Sequence, residues 1–193
     1  MKHLSIFSAV LILAFLLIWP STTMAQEKEV RKSLKASVMQ RLGLDTDITI
    51  EYSRPGVKGR KIWGELVPLG MNPGNKYSKD KPYPWRAGAN ENTTIEFSKD
   101  VLIEGNKLAA GKYGMHMIPG EKDWVIIFSK NSEGWGSFAY SEEEDALRVT
   151  MTPVEAPHQE WLMIGFNNLE GTSATACLHW EKLRVPFKIA LPE

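Results

Sequence analysis

The chain has 193 residues, of which 23 are basic and 23 acidic, and its formal net charge at neutral pH is zero. A balanced charge gives no electrostatic field for nucleic acid or for an anionic membrane surface, so neither is an expected partner. Cys177 is the only cysteine, which excludes an internal disulfide and leaves packing to hold the fold together.

The first 25 residues have the order of a secretory signal peptide. Lys2 and His3 make a short polar start, residues 6–19 are an apolar run, and the small residue Ala25 ends the segment. The run has 14 residues, fewer than the roughly 20 of a membrane-spanning helix. An uncleaved membrane anchor is the alternative. We expect an exported protein, periplasmic or extracellular, without stable membrane insertion after cleavage.

Cleavage after Ala25 leaves 193 − 25 = 168 residues, which suits one domain with a sizeable core. Residues 26–35 are charged and predict a solvated lead-in. Residues 36–193 carry the pattern of β-strands almost throughout, and in residues 47–53 the apolar side chains alternate with polar ones. Further strand patterns occur at residues 36–42, 94–98, 101–105, 112–119, 124–129, 147–152, 161–166, 174–180 and 185–191.

Roughly ten short strands with turn residues between them predict an all-β, single-domain antiparallel β-sandwich, or a barrel-like fold, with long loops. A helix through residues 30–42 is the alternative for the first strand. Short helical turns are expected at residues 59–66 or 141–146, and 105–111 is expected to be a link. The irregular segments are residues 54–92, 131–146 and 153–159. The first is long for a connection, and such segments are often functional or mobile.

The strand at residues 124–129, "WVIIFS", is apolar on both faces. A strand of this kind is typical of the covered interior of a sheet. We therefore predict that Trp124, Ile126 and Phe128 lie in the core on a central strand.

Several strings together resemble a family of exported bacterial proteins, domain of unknown function 2911. They are "ITIEYSRPGVKGRKIWGELVPLG", "WRAGANENTTIEFSKDVLIEG", "LAAGKYGMHMIPGEKDWVIIFSK", "WGSFAY" and "LRVTMTP". The resemblance extends from about Lys35 to Pro192 and implies that "SRPGVKGR" and "WRAGANE" are family hallmarks. It implies no activity, substrate or catalytic residue. The chain departs from the family pattern in the loop at residues 71–84 and at His116, where an apolar aromatic residue is expected.

The hallmark loops carry a cluster of polar and aromatic side chains: Arg54, Lys58, Arg60, Trp85, Arg86, Asn90 and Glu91. Arginine offers a planar fork for a carboxylate, a phosphate or sugar hydroxyls, and tryptophan offers a flat face. The candidate ligand-binding residues are His116 and every residue of this cluster except Lys58. A structural role is the alternative: Arg86 pairs with Glu91 or Glu51, and Asn90 bonds the turn backbone. We predict the Arg86–Glu91 pair, with Trp85 at the rim, where it either caps the core or presents its face to a ligand.

Other chemistry has little support. The histidines show no metal-binding spacing, no GxSxG motif is present, and no cofactor or metal is predicted. Cys177 has the pattern of a small core residue, and the acidic run at residues 141–146 that of a solvated face. The glycosylation sequence at residues 92–94 is interpreted as chance.

Three functions fit these observations. The first is a binding module for a small molecule, a carbohydrate or an envelope protein. The second is a small hydrolase-like enzyme that uses a loop cluster around Glu91 and His116. The third is a structural or assembly component of the cell envelope.

If the signal peptide is cleaved as predicted, mass spectrometry of the exported protein will find a chain that begins at Gln26. Membrane-bound material with an intact Met1 terminus would show instead that the apolar run is retained as an anchor.

Overall fold

The computed structural model describes residues 30–193, so the predicted signal peptide lies outside the described residues. The described chain forms ten β-strands and one short 3-10 helix. The strands are β1 (Leu34–Leu42), β2 (Thr46–Arg54), β3 (Thr94–Phe97), β4 (Val101–Ile103), β5 (Asn106–Leu108), β6 (Gly111–Ile118), β7 (Trp124–Ser129), β8 (Asp145–Met151), β9 (Val154–Glu170) and β10 (Ser173–Ala190). The 3-10 helix, Glu142–Glu144, lies between β7 and β8.

The strands form two antiparallel sheets that are not closed into a barrel. One has six strands in the order β1-β2-β3-β6-β7-β8, and the other has four in the order β5-β4-β10-β9. Apolar side chains of both sheets belong to one buried cluster, which is the arrangement of a β-sandwich. The predicted β-sandwich is confirmed, and the barrel-like alternative is not observed.

The strand β7 lies inside the six-stranded sheet, between β6 and β8. Trp124, Ile126 and Phe128 are buried as predicted, and so is Ile127 on the opposite face. Phe128 packs edge-to-face on Phe187 of the other sheet, with ring centroids 5.9 Å apart. This strand therefore contributes to the interface between the two sheets as well as to its own sheet.

The strands β9 and β10 are longer than the sequence predicts. The segments predicted as separate strands at residues 174–180 and 185–191 form one strand of 18 residues. Its pairing with β9 shifts register on both sides of Glu181, which adopts a positive φ of 55°. A bulge of this kind bends a strand without ending it. Most of the segment 153–159, predicted to be irregular, pairs with the far half of β10.

Three further predictions can be compared with the structure. The predicted link at 105–111 contains the short strand β5, and the apolar pattern at 161–166 lies on an edge strand where Trp161 and Met163 are each 39% exposed. A helical turn forms at Glu142–Glu144, whereas residues 59–66 form turns.

Among the described residues, no helix has the length and hydropathy needed to cross a membrane.

Apart from Arg54, the last residue of β2, the segment 54–92 carries no named strand, as expected, and isolated bridges fix it to the sandwich. Gly56 bridges to Trp161 of β9, and Trp85 bridges to Met117 of β6. The Trp85 amide donates to the Met117 carbonyl at 2.9 Å, and the Met117 amide donates back at 2.8 Å. The two hallmark loops are therefore attached to different sheets.

The burial of Phe128 gives a stability prediction. Phe128→Ala should lower the free energy of unfolding by about 3 to 5 kcal/mol, because a fully buried ring leaves a cavity that the sheets fill only in part. Urea denaturation of the mature chain measures the change. Leu44→Ala is the control, since Leu44 is 95% exposed and its loss should stay within about 0.5 kcal/mol. A similar small loss for Phe128→Ala would contradict the burial.

Candidate functional site

A cavity with a volume of about 540 Å³ lies between the two hallmark loops. We call it the loop cavity. Its apolar wall includes Leu66, Val67, Pro84, Trp85 and Trp180, and its polar wall includes Lys32, Ser33, Lys58, Arg60, Asn72, Tyr83, Arg86 and Asn90. Its volume falls within the range of about 300 to 1,000 Å³ that is common for small-molecule sites.

The polar wall of the loop cavity is cationic. Lys32, Lys58, Arg60 and Arg86 line it, and no Asp or Glu is among the lining residues. Arg60 turns its guanidinium to backbone carbonyls, donating to Gly56 and to Val57. Its charge therefore stays at the wall without neutralisation by a carboxylate.

Arg86 is the half-buried cation of this wall. Its Nη1 donates to the Asn90 carbonyl at 2.6 Å, and its guanidinium lies over the Phe138 ring, 5.0 Å from the centroid. Burial lowers the pKa of Arg86 from its ordinary value, while Tyr83 acts in the opposite direction. A guanidinium remains charged at physiological pH in spite of such a shift.

The predicted Arg86–Glu91 pair is wrong. Glu91 forms its ion pair with Arg31, which precedes β1, and Arg31 lowers the pKa of the Glu91 carboxyl. The alternative partner, Glu51, pairs with Lys35 and Lys112 instead. The physical reason is that other cations lie within ion-pair distance of these carboxylates. Arg31, in the segment before β1, reaches Glu91, whereas Lys35 of β1 and Lys112 of β6 reach Glu51. Sixty residues separate Arg31 from Glu91, so local spacing gave no indication of this pair.

Trp85 lies in the core and not at the rim. Its ring stacks on Trp180 with centroids 6.0 Å apart and an interplanar angle of 16°. Trp63 packs edge-on against Trp85, Trp124 and Trp180 at centroid distances of 5.7, 4.9 and 5.7 Å. These four rings form the tryptophan cluster. Trp85 lines the loop cavity from within this cluster, so it offers a ligand only the part of the ring that the cluster leaves uncovered.

His116 lies in the core beside a cavity of about 10 Å³, away from the loop cavity. Its Nδ1 is 2.8 Å from the Ser137 Oγ, and each of these two residues is 2% exposed. Burial, and then the nearby charge of Arg86, lowers the pKa of His116 from 6.5 to about 4. The neutral histidine and the serine form a buried hydrogen-bonded pair that a substrate cannot reach in this conformation.

The structure thus divides the predicted site residues. Arg60, Trp85, Arg86 and Asn90 line the loop cavity. Glu91 lines a second cavity of about 240 Å³, and His116 lines the third. Arg54 is not among the lining residues of the loop cavity and donates to the Leu162 carbonyl at 2.8 Å.

Several residues that line the loop cavity are not among the predicted site residues: Lys32, Ser33, Leu66, Asn72, Tyr83 and Trp180. Asn90 donates from Nδ2 to the Ser33 carbonyl, which brings the lead-in to the edge of the cavity. Lys32 belongs to a charged segment that predicts only solvation. The inward-facing alternation of residues 174–180 predicts burial of Trp180, but it does not tell which loop covers the ring.

Of the eight non-glycine residues with a positive φ among residues 30–193, three lie in the two loops that face the cavity. Lys58, Ala87 and Asn90 adopt positive φ angles of 48°, 49° and 64°. Such conformations cost non-glycine residues of order 1 kcal/mol each and persist where the surroundings enforce them. Gly88 is needed for packing, because a Cβ there would lie 3.0 Å from the Ser53 carbonyl oxygen. The glycine therefore allows the loop to approach β2, and it also lines the loop cavity.

The remaining reactive groups do not assemble. Among residues 30–193, no group of three or more His, Cys, Asp or Glu side chains is placed to hold a metal ion. His116 lies on the six-stranded sheet, whereas Cys177 and His179 lie on the four-stranded one. Cys177 is buried, and burial raises the pKa of its thiol. Asn92 of the glycosylation sequence is only partly exposed and donates to the Glu133 carbonyl.

A family model described as protein of unknown function, DUF2911, matches residues 33–189. The chain belongs to this family. The match covers both hallmark loops and every strand except the last residue of β10. Comparisons with the curated proteins and with the solved structures found no match. Function must therefore be argued from the geometry of the DUF2911 chain itself.

The lowered pKa of His116 predicts a pH dependence of stability. Between about pH 6.5 and pH 4 the unfolded chain binds a proton at His116 that the folded chain does not, so stability falls as the pH falls. The loss should reach about 2 kcal/mol between pH 6.5 and about pH 5, above the range where most carboxylates titrate. Thermal or urea unfolding at a series of pH values measures it.

His116→Gln removes the titrating group and should flatten the slope between pH 6.5 and pH 5, whatever its effect on absolute stability. His158→Gln is the matched control, because His158 is an exposed histidine and its replacement should keep the slope. An unchanged slope in His116→Gln would show that another group is responsible.

Proposed function

We propose that this DUF2911 protein is an exported binding module and that the loop cavity is its small-molecule site. The observation that carries the proposal is the cavity itself: about 540 Å³, lined both by apolar side chains and by side-chain hydrogen-bond donors. Sites for small molecules usually combine these two features. Export is supported by the sequence of residues 1–25.

The way the walls are held also supports a binding role. The tryptophan cluster and the bridge between Trp85 and Met117 fix one wall, and the bridge between Gly56 and Trp161 fixes the other. A preformed cavity costs little ordering entropy when a ligand enters, which favours affinity. The positive φ angles at Lys58 and Asn90 are consistent with a conformation kept for recognition.

The hydrolase-like alternative has less support. It requires Glu91 and His116 to act together, yet these residues line different cavities and bond different partners. No observation favours a role in envelope assembly over a binding role. Recognition of a small molecule, including a carbohydrate, is therefore the function that the geometry supports best.

A thermal-shift screen of residues 26–193 against sugars, sugar acids, nucleotides and short organic acids tests the proposal. A ligand at a hundred times its dissociation constant adds about 2.7 kcal/mol, and each kcal/mol raises the melting temperature by about 2 to 4 °C in a chain of this size. Tryptophan fluorescence should change with the same ligand, because Trp85 and Trp180 line the cavity.

Two leucines provide a matched pair for locating the site. Leu66 and Leu69 are 44% and 45% exposed, but only Leu66 lines the loop cavity. Leu66→Trp should weaken binding by obstructing the cavity, whereas Leu69→Trp should leave the dissociation constant unchanged. Equal effects of the two substitutions, or a screen in which no compound shifts the melting temperature, would contradict the proposal.

A further inference from the structure

Resting on the proposed function, we infer that the ligand of the loop cavity is a small organic anion whose carboxylate, phosphate or sulfate group is bound by Arg86. The inference names the class of ligand and the residue that selects it. It depends on three observations: the sign of charge in the cavity, the neutral partners of Arg86, and the space in which its guanidinium sits.

The first observation is the absence of compensating charge. None of the four cations of the wall, Lys32, Lys58, Arg60 and Arg86, forms an ion pair within 4.0 Å with any carboxylate of residues 30–193. Glu160 is adjacent to this wall: its Oε1 accepts a hydrogen bond from the Lys58 amide at 2.9 Å, and this bond is the main cause of the lowered pKa of the Glu160 carboxyl. The Lys58 Nζ lies 5.3 Å from the Trp161 ring centroid. An entering anion therefore meets net positive charge, which strengthens its binding where water is partly excluded.

The second observation is that Arg86 is held by neutral groups. Its partners are the Asn90 carbonyl and the Phe138 ring, neither of which carries a charge. A guanidinium has five N–H donors, and within the described chain only one hydrogen bond from this side chain is formed. The remaining donors suit a bidentate contact with an oxyanion, for which the planar fork of arginine is well matched.

The third observation concerns Gly136, which packs directly on the guanidinium. Gly136 has a positive φ of 68°, and a Cβ built on it would lie 2.3 Å from the Arg86 Cζ. Any side chain at this position would displace the guanidinium. The glycine and the Phe138 ring together fix the position of the charged group, so the donors do not have to be ordered when a ligand binds.

The apolar wall indicates that the anion is organic. Leu66, Val67, Pro84 and Trp85 line the same cavity as Arg86. Contact with these residues favours a ligand that carries a carbon skeleton, whereas inorganic phosphate or sulfate would leave the apolar wall in contact with water. The cavity volume also exceeds the space that a single inorganic anion fills.

Isothermal titration calorimetry of the mature protein with glucuronate, glucose 6-phosphate, glucose and inorganic phosphate tests the inference. At least one of the two acidic sugars should bind more tightly than neutral glucose by about ten- to a hundred-fold, the size expected for a hydrogen-bonded charge. The acidic sugar should also bind more tightly than inorganic phosphate. Arg86→Gln should remove the preference for the acidic sugar over glucose.

Two control pairs make the test specific. Arg54→Gln removes another half-buried arginine that donates to a backbone carbonyl but does not line the cavity, so it should preserve the preference. Leu66→Asp adds a carboxylate to the cavity wall and should weaken the acidic sugar about ten-fold. Leu69→Asp adds the same charge at the same exposure outside the cavity and should have little effect. This second pair keeps the test valid if Arg86→Gln does not fold.

The outcomes separate the two proposals. One outcome is that glucose binds as tightly as both acidic sugars, and that Leu66→Trp abolishes glucose binding whereas Leu69→Trp does not. This outcome would overturn the anion inference and support the binding module. Acidic-sugar binding that Leu66→Asp and Leu69→Asp weaken equally would overturn the role of the loop cavity. Inorganic phosphate binding as tightly as glucose 6-phosphate would overturn the organic ligand. Failure of every probe to bind would overturn the inference, and the broader screen would then decide the proposed function.

Discussion

The contact on which the rest of the structure depends is the packing of Trp63 against three other tryptophan rings. Trp124 belongs to the six-stranded sheet, Trp180 to the four-stranded sheet, and Trp85 to the same long segment as Trp63. Aromatic pairs of this kind add about 0.5 to 1.5 kcal/mol each beyond the burial of their surface. One side chain from an irregular segment therefore connects both sheets, and residues 54–92 gain order without a strand of their own.

The loop cavity follows from this attachment. The segment is fixed at Trp63 and Trp85 by the cluster, at Gly56 by the bridge to β9, and between these points the chain forms turns. A concave surface lies between the hallmark loops. Its floor is aromatic because the cluster lies beneath it, and its walls are cationic because the hallmark loops carry Lys58, Arg60 and Arg86.

Sequence patterns correctly predicted the strands in which apolar and polar side chains alternate. They did not predict features that depend on contacts between residues distant in sequence. Ile48, Ile50 and Tyr52 are buried as their alternation indicates, and "WVIIFS" forms an interior strand. The length of β10 was underestimated because the polar residues around Glu181 resemble a turn, although they form a bulge within a continuous pairing. Arg86 and Glu91 are close in sequence and were expected to pair, but Arg31, sixty residues away, binds the carboxylate. Composition of the hallmark loops thus indicated two of the segments that line the cavity, while the charge balance of the cavity required the tertiary structure.

The neutral groups around Arg86 support the proposal that this side chain binds an anionic ligand. A half-buried guanidinium loses part of its hydration, and a carboxylate partner would normally offset that loss. Here Glu91 is bound by Arg31, so the loss is offset only by a carbonyl and an aromatic face. The unpaired charge also reaches the core, where it helps keep His116 neutral beside Ser137. An anion at Arg86 would supply the missing counter-charge, and the folded protein would be stabilised by the same contact that selects the ligand.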